Sequence, residues 1–325
     1  MRIVIIGAVS STLTTLKQLI HHNMDVVGVL GYEPKSTQNV SGYSLLKPTA
    51  ESNKIAYRSF VKINDLETIK QLEEWQPDII FVVGLSQLVG NEILNLSPNG
   101  VVGFHPTPLP RGRGRAPLAW SVLKEKQVGA NFFLIDNGVD SGPILAQELF
   151  EIDENDYAED VEIKILEAIK LALDGLLPKL KQGILESKPQ DASLATYYGR
   201  RAPNDGCIDW SKSAIKIHRL VRASSKPHPG AITVKEDFKV VVWKSRLEKD
   251  LKNTGVIGRI LLTNNQKELL VQTGDGLLWI TEYQVFDFDA NLVDESLKVG
   301  QKLGYYSDIE LYKIKAEINE LKKRI

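Results

Sequence analysis

The chain has little cysteine: a single residue, Cys207, in 325. One thiol rules out an internal disulfide framework and suits a reducing compartment. With five histidines that do not cluster, no metal site is expected. Long apolar runs are absent too, and nothing approaches the roughly 20 residues that span a bilayer. The opening "MRIVIIGAVSS" breaks at Gly7 and reads as a buried strand rather than a signal peptide. Charge of one sign is also lacking: 40 Lys and Arg against 41 Asp and Glu leave a net charge of -1. That balance excludes a whole-molecule field drawing the protein to nucleic acid or anionic membrane. Gly7 stands without the rest of a glycine-rich dinucleotide fingerprint, so it reads as a tight turn. What remains is an ordinary globular composition, 43% hydrophobic and 25% charged, long enough for two domains. A cytoplasmic protein is expected, with no membrane and no nucleic-acid partner.

What is present first is alternation. Arg2 to Gly7 is rich in isoleucine and valine, "SSTLTTLKQLIHH" carries Leu13, Leu16 and Ile20 at helical spacing, and "MDVVGVLGY" is a second β-branched run. Strand, helix, strand predicts a βαβ unit and a parallel sheet. The grammar recurs: "IKQLEEW" is helical, and "PDIIFVVGL" reads as a strand buried on both faces. "VGNEILNL" follows as a short helix, "GVVGFH" as a strand, "APLAWSVLKE" as a helix and "GANFFLI" as a strand. Residues 157–182 form a long amphipathic helix with Val161, Ile165, Ala168 and Leu171 in phase. An open α/β sheet with helices on both faces is expected. After about residue 185 the grammar changes. "ESKPQDASLATYYGRRAPNDG" is polar and turn-rich and reads as a linker. "KSAIKIHRLVRA" is a short helix, with His218 and the later His228 expected to be packing or surface residues and Trp210 core. Short strands without intervening helices then predict a small antiparallel barrel or sandwich. Leu311, Ile314, Ile318, Leu321 and Ile325 share one face of a last helix, which is expected to cover the barrel, with a homodimer contact as the alternative.

The chemistry concentrates in "VVGFHPTPLPRGRGRAPLAW". His105 stands where a strand should end, and ligands in open α/β sheets bind beyond such ends. Pro106, Pro108 and Pro110 stiffen the loop beyond it, so Thr107 and nearby backbone groups could hold a flat heterocycle. Arg111, Arg113 and Arg115 offer planar donor forks; Arg115 is taken as a ligand contact, the other two as solvated charges. Asp140 in "DNGVDSGPI" comes after the strand "NFFLI". His105 and Asp140, from two neighbouring strand ends, form a general acid/base pair.

"FHPTPLPRGRGRAPLAW", followed by "GVDSGPI" with its aspartate 35 residues after the histidine, resembles the folate-dependent formyltransferases. These include methionyl-tRNA formyltransferase, the sugar N-formyltransferases and the hydrolase domain of 10-formyltetrahydrofolate dehydrogenase. The likeness runs over most of the chain. It implies a Rossmann-like catalytic domain over residues 1–190, an OB-like barrel over 205–300 and a C-terminal helix over 305–325. It implies N10-formyltetrahydrofolate as formyl donor, attacked by a substrate amine. By resemblance His105 donates to the oxyanion of the tetrahedral intermediate, and Asp140 orients His105 and accepts the amine proton. Gln87, Leu88 and Val89 would line the pterin pocket. Thr107, Pro108, Leu109, Arg115, Asp136, Asn137, Gly138 and Val139 would complete the donor site. One catalytic position departs: Gly103 stands where the family usually has asparagine as an oxyanion donor. Such a donor is worth ~3 kcal/mol, so backbone or water replaces it, or the amine is reactive enough without it. The hydrolase domain also lacks that asparagine, which keeps hydrolysis as an alternative.

Methionyl-tRNA formyltransferases carry a basic insertion after the second strand. The matching "GYEPKSTQNVSGYSLLKPTAESNK" has three lysines and no arginine, too little to neutralise phosphates. "GYSLLKPTAE" and "RGRAPLAW" resemble the sugar N-formyltransferases. The region from "YYGRRAPNDG" to "KPHPGAI" resembles the lipid A aminoarabinose formyltransferases. Arg200 and Arg201 would meet a diphosphate or pair with Asp205 and Asp209. The expected substrate is a nucleotide-linked deoxyamino sugar. A tRNA formyltransferase and a non-catalytic folate or nucleotide binder complete the alternatives.

Overall fold

A strand covered on both faces must be apolar throughout, and two strands here are. Ile3, Val4, Ile5 and Ile6 in β1 (Arg2–Gly7) and Ile79, Ile80 and Phe81 in β4 (Ile79–Val82) are fully buried. The computed structural model describes residues 1–36, 40–305 and 307–323. It divides into two units, Met1–Arg201 and Ala202–Ile325.

In the first unit β1 is followed by α1 (Ser10–His21), β2 (Asp25–Tyr32), α2 (Lys47–Ser52), β3 (Tyr57–Phe60), α3 (Leu66–Trp75), β4, α4 (Asn91–Leu94) and β5 (Val101–His105). Then come β6 (Arg113–Gly114), α5 (Pro117–Lys124), β7 (Gln127–Leu134), β8 (Ile144–Glu151), α6 (Ala158–Lys181) and β9 (Tyr197–Tyr198). A seven-stranded sheet runs β3-β2-β1-β4-β5-β7-β8. Its strands are parallel from β3 to β5, while β7 is antiparallel to both neighbours. The mostly parallel Rossmann-like sheet is thus as expected. Helix α6 buries Val161, Ile165, Ala168, Ile169, Ala172, Leu173, Leu176 and Leu177, and lies on β7 and β8 and along α1.

Two expectations change here. His105 and the "NFFLI" strand do not end side by side. β7 runs antiparallel to β5, with His105 opposite Asn131 and Val102 opposite Leu134. The intervening residues are spent on a loop and on α5, whose eight residues rise only about 12 Å, so β7 re-enters from the end where β5 finished. The presumed linker is also structured: β9 pairs parallel to β6 and Lys188 bridges Ile144. Most of its residues are exposed, and a few, Gln190 foremost, bond to the rest of the first unit.

The second unit is antiparallel. α7 (Ala214–Ser224) precedes β10 (Ala231–Lys235), β11 (Phe238–Glu248), β12 (Ile260–Thr263), β13 (Leu269–Gln272), β14 (Leu277–Phe286) and β15 (Leu292–Val293), and α8 (Ser307–Lys323) ends it. The strands run β10-β11-β14-β13-β12, and β15 pairs with β14. Trp210 is core, its Nε1 donating to Thr233 Oγ1 at 2.9 Å. His218 is partly buried with Nδ1 2.9 Å from Ser245 Oγ; burial and the Arg222 charge pull its imidazole down to about 4. The last helix does not cover this sheet. Leu311, Ile314, Ile318 and Leu321 are 51%, 52%, 44% and 58% exposed, and Ile325 lies outside the described residues. Among those residues no helix is long and apolar enough to cross a membrane.

Candidate active site

The loop after β5 is held by more than its prolines. Thr107 Oγ1 donates to Arg111 O at 2.8 Å. The fully buried Asn131 of β7 donates from Nδ2 to the carbonyls of His105, at 2.8 Å, and Thr107. Gln147 of β8 donates from Nε2 to Asn131 Oδ1 and, at 3.0 Å, to Leu109 O. Side-chain amides from two strands, Asn131 buried and Gln147 exposed, therefore satisfy carbonyls that a loop would otherwise leave to water.

His105 is 5% exposed. Its Nε2 lies 2.8 Å from Gly112 O; a carbonyl only accepts, so Nε2 carries the proton. Nδ1 then faces Asp140, 3.5 Å from Oδ2, and the same Oδ2 accepts from Gly114 N at 2.8 Å. Asp140 has φ +49°, a left-handed conformation costing a non-glycine residue about 1 kcal/mol. Gln190 holds it there, donating from Nε2 to the carbonyls of Asp140 and Gly142, both at 2.8 Å. Gln190 Oε1 in turn accepts from Arg113 Nη2 at 2.8 Å and Nε at 3.3 Å. Arg113 Nη1 donates to Tyr197 Oη at 3.0 Å.

Arg113, expected to be solvated, is 3% exposed. The reason lies in its flanking glycines. A Cβ at Gly114 would stand 2.4 Å from Tyr198 O, and one at Gly112 2.9 Å from Thr107 Cβ, so β6 meets β9 too closely for side chains there. Arg115 is exposed and makes no ion pair among the described residues. At Gly103 a Cβ would fall 2.8 Å from Phe133 Cζ and 3.0 Å from Ile135 Cγ1. The space an asparagine side chain would take is filled by those two residues.

The other predicted contacts divide. Gln87 is occupied, accepting from Ile63 N at 2.9 Å and donating to Val61 O at 2.8 Å. Leu88 is 86% exposed and Val139 52% exposed, while Val89 packs on the core. Thr107, Pro108 and Leu109 are buried in the loop. Asp136 Oδ1 accepts from Gly138 N at 2.9 Å and Ser141 Oγ at 2.7 Å, closing a turn that leaves Asn137 exposed. Arg201 lies 5.4 Å over the Trp120 ring, which stacks on Tyr198 at 5.2 Å and 13°; Arg200 is exposed. Tyr198 Oη donates to Glu125 Oε1, and burial with that carboxylate pushes the phenol up, so it stays neutral. A cavity of about 410 Å³ lies elsewhere, between β8 and α6, and shares no residue with the predicted site.

Gln190, Arg113, Asn131, Gln147 and the Trp120–Tyr198 stack were not legible as site residues. Only the glycines around Arg113 carry a trace, because close backbone approach demands them.

A mostly parallel α/β sheet thus carries an imidazole–carboxylate pair over a braced loop beyond the end of β5. The chain belongs to the formyl transferase family: the family's formyl transferase model matches residues 1–174, and its C-terminal domain model matches residues 201–287. Among solved structures it resembles the N-formyltransferase from Helicobacter canadensis in complex with folinic acid and dTDP-3-aminofucose. That match has TM-score 0.66 and 20% identity, covering 86% of this chain and 98% of the other. It also resembles WlaRD, a sugar 3N-formyl transferase solved with dTDP and 5-N-formyl-THF, at TM-score 0.64 and 19% identity, covering 91% of this chain and 98% of that one. HypX from Aquifex aeolicus in complex with tetrahydrofolic acid matches at TM-score 0.63 and 18% identity over 90% of this chain; the chain spans 45% of HypX. At these identities the likeness speaks to fold.

Proposed function

We propose that the protein transfers the formyl group of N10-formyltetrahydrofolate to the amine of a nucleotide-linked deoxyamino sugar. The observation that carries this reading is His105 Nδ1 standing 3.5 Å from Asp140 Oδ2 on a braced loop of a formyl transferase domain. Asp140 is the group positioned to take the proton an attacking amine must lose, directly or through water, and to fix the His105 ring. For His105 to donate to charge building on a carbonyl oxygen, its Nε2–H exchanges Gly112 O, 2.8 Å away in the free site, for that oxygen. The folate, when bound, supplies the formyl carbon. The flat faces of its rings suit Leu88 and Val139, which are left exposed on the loops after β4 and β7, while its polar edge needs hydrogen-bond partners. Arg115 and the turn around Asp136, Asn137 and Gly138 offer exposed polar groups.

Two features favour a nucleotide-linked amine as acceptor. The Trp120–Tyr198 stack with Arg201 over it suits a base, worth about 1–3 kcal/mol per stacked base. Arg200 beside it suits a diphosphate. The structural neighbours bound to dTDP and a dTDP-amino sugar point the same way. Hydrolysis of the donor would need room for water beside Gly103, and Phe133 and Ile135 take that room, which supports transfer.

The test is turnover of 10-formyltetrahydrofolate with and without dTDP-, UDP- and GDP-linked amino sugars. Amine-dependent release of tetrahydrofolate is expected, with His105→Ala and Asp140→Ala each losing about 10²–10⁴-fold at unchanged circular dichroism. Formate release without amine, or near-normal rates in either variant, overturns the reading.

A further inference from the structure

Helix α8 carries an apolar stripe that nothing in the described residues covers. Every residue from Leu311 to Lys323 is exposed, including Leu311, Ile314, Ile318 and Leu321. The steps between those four are three, four and three residues, the a/d alternation of a coiled-coil heptad rather than the broader face of a helix lying on a sheet. With Leu311 and Ile318 at a, and Ile314 and Leu321 at d, the flanking positions are charged in a fixed sense. Glu310 and Glu317 fall at g, Lys315 and Lys322 at e.

That arrangement selects the occupant. In a parallel, in-register pair of identical helices each g residue meets the e residue five positions on in the other copy. Glu310 would face Lys315 of the second copy, and Glu317 would face Lys322, on both sides of the seam. An antiparallel pair would instead set Glu against Glu and Lys against Lys. Within one chain Glu310 meets Lys313 at 3.0 Å, on the outward side. Glu317, Lys315 and Lys322 have no ion pair among the described residues, although each stands beside the stripe. A membrane surface would favour cations along the polar face, whereas here both signs line the seam in alternation.

We propose that α8 pairs with α8 of a second copy of this chain as a parallel two-stranded coiled coil. Such pairing does not depend on the formyl-transfer reading. Two heptads are fewer than the three or four from which an isolated coiled coil is read, so the association is weak and reversible.

Sedimentation velocity of the full chain from about 1 to 200 μM tests it. A monomer–dimer equilibrium is expected. Leu311→Glu with Ile318→Glu should leave monomer throughout. Glu310→Lys with Glu317→Lys should weaken the dimer about tenfold or more, because every g–e contact becomes repulsive. Adding Lys315→Glu and Lys322→Glu to that variant should restore it, since opposite signs face each other again. All these side chains are exposed, so an unchanged thermal midpoint at a concentration where the wild-type chain is monomeric checks folding, and the charge exchange leaves the apolar seam intact if the glutamates disturb the helix. Wild-type chain monomeric across the range overturns the proposal, and so does a dimer that survives the seam substitutions. A trimer, or a charge exchange that fails to restore pairing, overturns it equally.

Discussion

Gln190→Leu attacks the least visible support of the site. The substitution removes both 2.8 Å hydrogen bonds to the carbonyls of Asp140 and Gly142, each worth about 1 kcal/mol net. It also takes from Arg113 the oxygen that receives two of its N–H groups. A hydrogen bond to a charged group contributes about 1.5–3 kcal/mol, and Arg113 at 3% exposure has no water to fall back on. Tyr197 still accepts from Nη1 at 3.0 Å, which holds the loss below that of a fully stranded charge. The sum is about 3.5–5 kcal/mol, a fall of roughly 7–20 °C in the midpoint of the first unit at 2–4 °C per kcal/mol. Differential scanning calorimetry reads it. Adding Arg113→Met removes the buried charge as well, and about half the loss should return, because apolar replacement of both partners avoids the desolvation penalty. Asp140, at φ +49°, loses its brace, so kcat should fall roughly 10–100-fold with KM little changed. A midpoint shift under about 2 °C with normal kcat would refute the reasoning, as would a double variant worse than the sum of the singles.

Gly103→Asn should cost about 1–3 kcal/mol by overpacking without raising kcat, because its Cβ would meet Phe133 at 2.8 Å; a faster, equally stable variant would show that the ring yields. His218 is held neutral by burial and Arg222, titrating at about 4 rather than 6.5. Its folded-state value is depressed, so its contribution is present above pH 6.5 and is lost as pH falls toward 4. Allowing for solvent screening, about 1–2 kcal/mol should disappear over that window, and urea unfolding of His218→Gln should show a flatter pH dependence there. Trp120→Ala should raise KM for the nucleotide-linked acceptor about 5–150-fold and leave KM for the folate unchanged, as steady-state titration of each substrate will report.

Alternation of β-branched runs with helical periodicity was enough to predict the open sheet, its long helix α6 and the change to antiparallel strands. Those signals are local: a strand covered on both faces or a helix lying on a sheet writes its burial into residues a few positions apart. His105 and Asp140 were legible for a related reason, since prolines, glycines and a loop after an apolar run mark where a backbone is stiffened beside a ligand. The groups that hold that pair in place were not legible. Asn131 braces a carbonyl 26 residues away and Gln190 one 50 residues away, and a hydrogen bond across such separations leaves no period behind. The polar stretch after α6 hid Gln190 and Tyr197, which meet Arg113, because their composition matches that of the solvated residues around them. The reversal of β7 depended on how much chain the loop after His105 consumes, and the exposure of α8 on whether the sheet needed another cover. Sequence pattern was enough for the long helices, the buried central strands and the candidate pair His105 and Asp140, but not for β3, β6, β8 or β9. Tertiary structure alone decided which distant polar groups close around them, because hydrogen-bond partners and packing vacancies belong to three-dimensional neighbours rather than to the order of the chain.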